Sequence, residues 1–573
     1  MKTWKTNLEE TKQRYINWWN HKGIILSMWE HFQEGVKPHA DIAPPAPARD
    51  LSQKWFDPQW RAEYLDWYVA HSSLMADMLP VANTQLGPGS LAAILGGVFE
   101  GGEDTIWIHP DPNFNDEIVF NPEHPNWLLH KELLKACKAK ANGNYFVGMP
   151  DLMEGLDVLA ALKGTDMVLL DTVMQPEVLE QQMQQINDIY FKVFDELYDI
   201  IREGDEMAFC YFSSWAPGKM SKLQSDISTM ISQDDYRRFV QPFIREQCQK
   251  IDYTLYHLDG VGAMHHLPAL LEIEELNAIQ WTPGVGEPQG GSPKWYDLYK
   301  KILAGGKSVM ACWVTLEELK PLLDHIGADG VHLEMDFHNE REVEQAMRII
   351  EEYTGSSSSV SADVHTNQPV GEQDNAQESI RIREEKSQEE DRMKPLYDAI
   401  VAGKLEPAVE VTKDAIAAGV LPQDIINGYM ITAMGEVGQR FQDGKAFVPQ
   451  LLMAGRAMKG ALELLKPLLA GNASATIGKI VIGTVKGDLH DIGKNLVASM
   501  LEGCGFEVIN IGIDVTCDKF VEAVKENKAD ILCMSALLTT TMTYMQDVIR
   551  ALEEAVIIEE MRAFLRLDLP DRQ

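Results

Sequence analysis

The stretch "GTVKGDLHDIGKN", Gly483–Asn495, sets a histidine between two aspartates, with glycines around it and apolar runs before and after. The run leading in, "KIVIGTV", is strand-like, and the run leading out, "GKNLVASMLEGCG", carries apolar residues at helical spacing. In open parallel sheets, ligands bind at such a strand–loop–helix junction. A phosphate loop needs GxxxxGK[ST], but Gly487 and Gly493 are six apart and Lys494 is followed by asparagine. The dinucleotide pattern GxGxxG is absent as well. A metal reading does better. Neutral imidazole is a common ligand, and a carboxylate on its second nitrogen fixes the tautomer. Asp488 and His490 are two apart and can share one side of an extended loop. One histidine cannot hold a free ion, but it can be the axial ligand of a metal already held by a macrocycle. The plainer alternative is that Asp491 N-caps the next helix and His490 is an exposed loop residue.

Outward from this loop, strands "KIVIGTV", "EVINIG" and "ADILCMSAL" alternate with helices near "CDKFVEAVKENK" and "TTTMTYMQDVIRALEEA". That order predicts a parallel, doubly wound sheet. Before it stand four helical stretches, "RMKPLYDAIVAGK", "LEPAVEVTKDAIAAG", "LPQDIINGYMITAMGEVGQRFQDG" and "FVPQLLMAGRAMKGALELLKPLL", separated by Gly or Pro signals. They read as a small bundle.

"GDLHDIGKN" resembles the Asp-x-His-x-x-Gly motif of cobalamin-binding domains, and "SALLTTTM", Ser535–Met542, resembles their second motif. "VGQRFQDGKAFVPQLLMAGRAMK" resembles the helical cap of cobalamin-dependent methionine synthase and of small corrinoid proteins from methanogens and acetogens. The resemblance implies a cobalamin (cobamide) bound by Asp488, His490, Asp491, Gly493, Ser535, Leu537, Thr539 and Thr541. In that family pattern His490 is the lower cobalt ligand in place of the nucleotide base, and Asp488 hydrogen-bonds it. Thr541 continues a proton relay, and Ser535 contacts the displaced base. The family continues with a fourth strand ending in a Gly-Gly turn, then a fifth strand and helix. This sequence instead runs "VIIEEMRAFLRLDLPDRQ", so the sheet is expected to be incomplete, as if truncated, beyond Ala555.

The segment 355–390, "GSSSSVSADVHTNQPVGEQDNAQESIRIREEKSQEE", is rich in Ser, Gln and Glu with almost no large apolar residues, and it reads as a flexible linker. The expected organisation is therefore a domain over 1–354, the linker, a helical cap over 391–472 and a Rossmann-like cobalamin-binding domain over 476–573.

In the first part, strand-like stretches such as "GIILSMW", "YFVGMP", "YTLYHLDG", "KSVMACW" and "DGVHLEM" alternate with amphipathic ones such as "LEQQMQQINDIYFKVFDELYDIIRE". The alternation predicts a (β/α)8 barrel, whose chemistry sits just past the strand C-termini. There the sequence places Trp29, Glu30, His31, Asp151, Trp215, His257, Asp259, Trp281, Cys312 and Glu334. "ILSMWEHF", "PVANTQLGPG", "GMPDLMEGLDVLAAL", "SSWAPGKM" and "YHLDG" resemble the uroporphyrinogen decarboxylase superfamily. The decarboxylases bind substrate carboxylates through an arginine-rich segment that here reads Met28-Trp29-Glu30-His31, and Asn83 stands where they place an aspartate. Haem synthesis is therefore not expected. Methyltransferases of the same superfamily use a zinc held by a His-x-Cys pair and a later cysteine. Here the pair reads His257-Leu258-Asp259, and the later position falls at Glu334. His257, Asp259 and Glu334 are thus the candidate catalytic residues, either as a zinc site of one nitrogen and two oxygens or as hydrogen-bonding substrate ligands. His265-His266 reads as a loop or helix-start pair. Trp29, Trp215 and Trp281 are pocket or core residues, with the core favoured for at least one. "GEPQGGSPKW", Gly286–Trp295, suits a mobile active-site loop.

Composition narrows the function. The 573 residues carry a formal net charge of -36, which repels nucleic acid and anionic membrane surfaces. The start "MKTWKTNLEETKQRY" has no signal-peptide core, no run is long enough for a membrane span, and seven cysteines lie without CxxC pairs. A cytoplasmic protein is expected. The expected activity is methyl transfer between a small methylated substrate and a cobamide on the same chain. The acceptor would be a thiol, tetrahydrofolate or a second methyltransferase, with a corrinoid-reactivating protein as a further partner. The alternatives are a non-catalytic corrinoid-binding or sensing protein, and a barrel that decarboxylates a small acid.

Overall fold

The structure is a computed structural model and describes residues 3–102, 105–111, 114–284, 286–354, 386–469, 478–488, 492–503, 506–536 and 541–555. The chain divides into two compact units, Met1–Val360 and Ser361–Gln573.

The first unit holds strands β1 (Ile24–Ser27), β2 (Val81–Ala82), β3 (Val98–Gly101), β4 (Ile106–His109), β5 (Phe146–Met149), β6 (Met207–Phe209), β7 (Trp215–Ala216), β8 (Met220–Leu223), β9 (Tyr253–Asp259), β10 (Ala278–Thr282), β11 (Ser308–Val314) and β12 (Val331–Met335). One ladder runs β1-β12-β11-β10-β9-β8, parallel throughout, so the first and last strands lie side by side with Ile24 opposite Val331. A second ladder runs β2-β5-β6-β7, and β3 pairs with β4 in an antiparallel hairpin. Strands β1, β5, β8 and β12 are buried along their whole length, as parallel strands covered on both faces must be. The covering helices are amphipathic. Pro176–Ile201 turns Leu179, Met183, Ile186, Tyr190, Phe194 and Leu197 inward at intervals of three and four.

The expected closed eight-stranded barrel is not seen as one continuous ladder among the described residues; the unit is a mixed α/β fold with parallel sheets. The two ladders meet without pairing at β1 and β2 and at β7 and β8, and β7 folds back antiparallel on β6. The turn between them needs left-handed backbone at Phe212 (φ 59°) and Ser213 (φ 40°). No sequence signal announced that hairpin.

The second unit begins with helices Lys386–Val401, Leu405–Ala417, Pro422–Ile425, Ile431–Gln442 and Val448–Leu469, with a π turn over Ile426–Met430. Leu396, Ile400, Ile425, Met430, Met458 and Leu465 form their core. Of the expected linker, 355–385 lie outside the described residues, and 386–390 already belong to the first of these helices. A three-stranded parallel sheet follows, with β13 (Lys479–Thr484) between β14 (Glu507–Asn510) and β15 (Ile531–Ser535). Helices Ile492–Gly503, Cys517–Asn527 and Thr543–Glu554 complete a Rossmann-like fold, and Val481, Phe520, Val524, Val548 and Leu552 pack in its core. Residues 556–573, on which the expectation of an incomplete sheet rests, lie outside the described residues. Among the described residues no helix is long and apolar enough to cross a membrane.

Candidate functional site

In the second unit β13 is central, with β14 on one side and β15, which the chain reaches from β14, on the other. The crevice beyond its C-terminal end is a topological switch point. Asp488 enters this crevice from the loop after β13, and Thr541 from the loop after β15. The Thr541 hydroxyl donates to Asp488 Oδ2 at 2.7 Å, and both residues are buried. The Gly487 N–H donates to Asp514 Oδ1 at 2.7 Å, and the Asp514 N–H donates to the Asp488 carbonyl at 3.2 Å, which ties the loop to the segment after β14. Gly487 takes φ 82°, a conformation that strains any residue with a Cβ. Ser535 ends β15 opposite Thr484, and its carbonyl accepts from the Val485 N–H at 3.0 Å. His490, Asp491, Leu537 and Thr539 lie outside the described residues, and Gly493 falls within helix Ile492–Gly503. Sequence reasoning passed over Lys494. It is buried and donates to Asn510 Oδ1 at 2.9 Å, and a lysine at the start of an amphipathic helix gives no sign of that.

In the first unit, four polar side chains from β9, β10, β11 and β12 form one row. The amide of Gln280 is wholly buried, and its Nε2 donates to Thr282 Oγ1 at 2.7 Å and to Cys312 Sγ at 2.9 Å. Its Oε1 therefore faces His257 Nδ1, which stands opposite in register, and the two are in close contact. The Cys312 thiol donates to Glu334 Oε2 at 3.0 Å. Glu334 Oε1 is buried with no partner. Burial pushes the Glu334 carboxyl up to about 8 and the His257 imidazole down to about 3. Asp259 Oδ2 lies 3.9 Å from His257 Nε2, and burial raises the Asp259 carboxyl against the pull of Lys222. The expected trio is thus divided: His257 faces Asp259, while Glu334 is held by Cys312. No group of three or more His, Cys, Asp or Glu side chains able to hold a metal ion occurs among the described residues.

Beside this row Lys222, from β8, is buried and donates to Asp151 and to Gln224 in close contacts. Gln224 Nε2 donates to Asp226 Oδ2 at 2.9 Å. The next layer is acidic. Asp157 accepts the backbone N–H groups of Asp226 at 2.8 Å and Ile227 at 3.0 Å, and Glu154 accepts from Leu156 N–H at 2.9 Å. Burial pushes Asp226 up to about 6 and Glu154 to about 7. Asp226 and Asp259 nonetheless reach solvent, so they line a recess rather than a closed core. Its rim is aromatic. Trp29 packs against Tyr211, Phe212 and Trp313 with ring centroids 5.5, 4.9 and 6.0 Å away, and Phe212 stands 5.9 Å from the His257 ring. Met153, Phe212, Ser213 and Trp313 all adopt positive φ. Such conformations cost about 1–3 kcal/mol each and gather at ligand sites. Trp215 and Trp281 are buried core residues, whereas Trp29 is half-exposed at the rim. His265 and His266 bond to main-chain carbonyls within and around a short 3-10 turn.

The loop Gly286–Trp295, expected to be mobile, is tied down at several points. Gly290 N–H donates to the Cys312 carbonyl at 3.0 Å, and the Tyr299 hydroxyl donates to the Gly290 carbonyl at 2.7 Å. A Cβ on Gly290 would come within 2.3 Å of that Cys312 carbonyl, so only glycine lets the loop lie against β11. Lys222, Gln224, Asp226 and Gln280 escaped the sequence reading because each sits in a strand or turn with nothing local to mark it as facing its neighbours.

Residues 478–558 match a family model described as the B12 binding domain, and residues 393–466 match a second model of the same description. The second unit is therefore a B12-binding domain, and the cofactor is cobalamin. Trimethylamine corrinoid protein 1 of Methanosarcina acetivorans is 41% identical over 170 residues, which are 29% of this chain and 79% of that protein. Dimethylamine corrinoid protein 1 of the same organism is 44% identical over 161 residues, covering 27% and 76%. By this measure the chain belongs, through its second unit, to the corrinoid-protein family. Among solved structures, a chain of the methanol:cobalamin methyltransferase complex of Methanosarcina barkeri is 32% identical, with 31% of this chain and 70% of that one covered and a TM-score of 0.27. The crevice fits the cofactor. It offers a buried carboxylate two residues before a histidine, a hydroxyl bonded to that carboxylate from the opposite loop, and a glycine where the backbone must turn sharply.

Proposed function

We propose that the chain is a corrinoid-dependent methyltransferase that moves a methyl group between a small methylated donor and a cobamide carried on its own second unit. The reading rests above all on the buried Thr541–Asp488 hydrogen bond across the switch point. His490 would be a ligand to the cobalt, and Asp488, which accepts the Thr541 hydroxyl, would hold His490. The bound corrinoid supplies a reduced cobalt that accepts methyl groups. The chain's own part would be to let a proton move on and off the His490–Asp488 pair. The first unit, as a uroporphyrinogen decarboxylase-like barrel, would bind and orient the donor at its recess. The names of the relatives, trimethylamine and dimethylamine corrinoid protein, agree with a role in methyl transfer. A methyl acceptor and a partner methyltransferase or reactivating protein would complete the cycle.

The test is to load the full chain with cobalamin, reduce it and follow the corrinoid spectrum with methoxy, methylamine and halomethane donors. Methyl-corrinoid should form with one donor class and vanish in His490→Ala. A corrinoid spectrum unchanged by every donor would sink the reading.

A further inference from the structure

The amide of Gln280 bonds to side chains on both adjacent strands, and the protons along that row can be counted. The count starts at its far end. Cys312 has one thiol proton, which goes to Glu334 Oε2 at 3.0 Å, so its Sγ meets Gln280 Nε2, 2.9 Å away, as an acceptor. The second Nε2 proton goes to Thr282 Oγ1 at 2.7 Å. Both amide protons are then spent, and Gln280 Oε1 can only accept from His257 Nδ1. The amide has no exposure, so water does not compete for it. Burial, with Lys222 adding to it, lowers the His257 imidazole to about 3, so the ring is neutral and carries a single proton. That proton is on Nδ1, and the lone pair is on Nε2. Asp259 Oδ2 lies 3.9 Å from Nε2, beyond hydrogen-bond reach, and the Phe212 ring, 5.9 Å from the imidazole, has no proton to offer.

We propose that Gln280 is a positioning residue of the first-unit site: it locks His257 in the Nδ1–H tautomer, so that Nε2 is presented at the end of β9 as an acceptor for a ligand group that carries a proton. An acceptor on the second ring nitrogen is the general means by which an imidazole is held to one role. In this state His257 receives a proton or a hydrogen bond and has none to give to a leaving group. Cys312 takes part through Gln280, because its sulfur accepts the amide proton that would otherwise leave the amide free to turn over. The inference deepens the methyl-transfer reading, and its consequence for rate rests on the first unit being the donor side of that reaction.

The test is nitrogen-15 NMR of the full chain, labelled at histidine and free of corrinoid, with the His257 signals found by difference against His257→Asn. At pH 7 the parent should show a protonated, pyrrole-type Nδ1 and an unprotonated, pyridine-type Nε2. Gln280→Leu should lose this single tautomer, with protonated Nε2 appearing, whereas Cys312→Ser, whose hydroxyl can still accept from Gln280 and donate to Glu334, should keep it. A proton on Nε2 in the parent, an imidazolium with both nitrogens protonated, or a tautomer unchanged in Gln280→Leu with native circular dichroism would each overturn the proposal. Should Gln280→Leu not fold, the parent signals decide. With the cobalamin-loaded chain, methyl-corrinoid formation should fall about 10²-fold in Gln280→Leu and hold in Cys312→Ser. Equal rates in Gln280→Leu and the parent would overturn the positioning role. The expected tautomer in a chain whose corrinoid no donor methylates would support the lock on His257 and sink the methyl-transfer reading.

Discussion

Three residues make the molecule's physical logic measurable. Glu334 sits in the first-unit core with one oxygen unpartnered, and its carboxyl is raised from 4.5 to about 8. The folded state therefore holds a proton that the unfolded chain has released. The contribution is fully present below pH 4.5, and it is lost progressively as pH rises toward 8. Glu334→Gln should remove that slope, so urea melts of the variant and the parent should diverge between pH 5 and 8, with the variant gaining. Thr541 donates its hydroxyl to a buried carboxylate, so Thr541→Ala should cost about 1.5–3 kcal/mol in urea unfolding of the second unit and should weaken cobalamin binding. Gly290→Ala forces a methyl against the Cys312 carbonyl and should cost about 1–3 kcal/mol, with Gly290→Ser no better. The sequence marked Glu334 and Asp488 as chemistry-bearing but left Gln280 in the background. An amide inside an apolar strand acquires meaning only when the side chains it bonds on the two adjacent strands are a histidine and a cysteine.

Elements were the most legible level. The helical period of "LEQQMQQINDIYFKVFDELYDIIRE" became the helix Pro176–Ile201, and the four bundle segments became helices, because an amphipathic stripe requires one burial partner and little else. The exceptions are where tertiary pairing overrode local pattern. "MAFCYFSSW" reads as one strand, yet the chain reverses within it, and β7 closes the edge of β6. The third bundle segment reads as one helix but contains the π turn Ile426–Met430. Its Met430 joins Leu396 in the core of the bundle. Leu396→Ala, which opens a cavity at a side chain with no exposure, should cost about 2–5 kcal/mol and lower cobalamin affinity by loosening the helices beside the sheet.

At the scale of the whole molecule, the second unit should act as a cofactor carrier in its own right. The curated relatives it matches are separate corrinoid proteins, and the match covers 79% of trimethylamine corrinoid protein 1. A fragment spanning 386–573 should therefore keep a cobalamin spectrum, and His490→Ala should abolish its lower-ligand signature. A fragment that folds but takes up no corrinoid would refute this. By itself, the sequence determined the division into an α/β part and a corrinoid part, and it determined the cofactor. A ligand loop is a contiguous motif, and its spacing survives being read in one dimension. The tertiary structure alone decided the partners along the strand ends: that His257 Nδ1 meets Gln280 and that the Cys312 thiol donates to Glu334. Those partners come from different strands, and hydrogen-bond direction exists only once the strands are side by side.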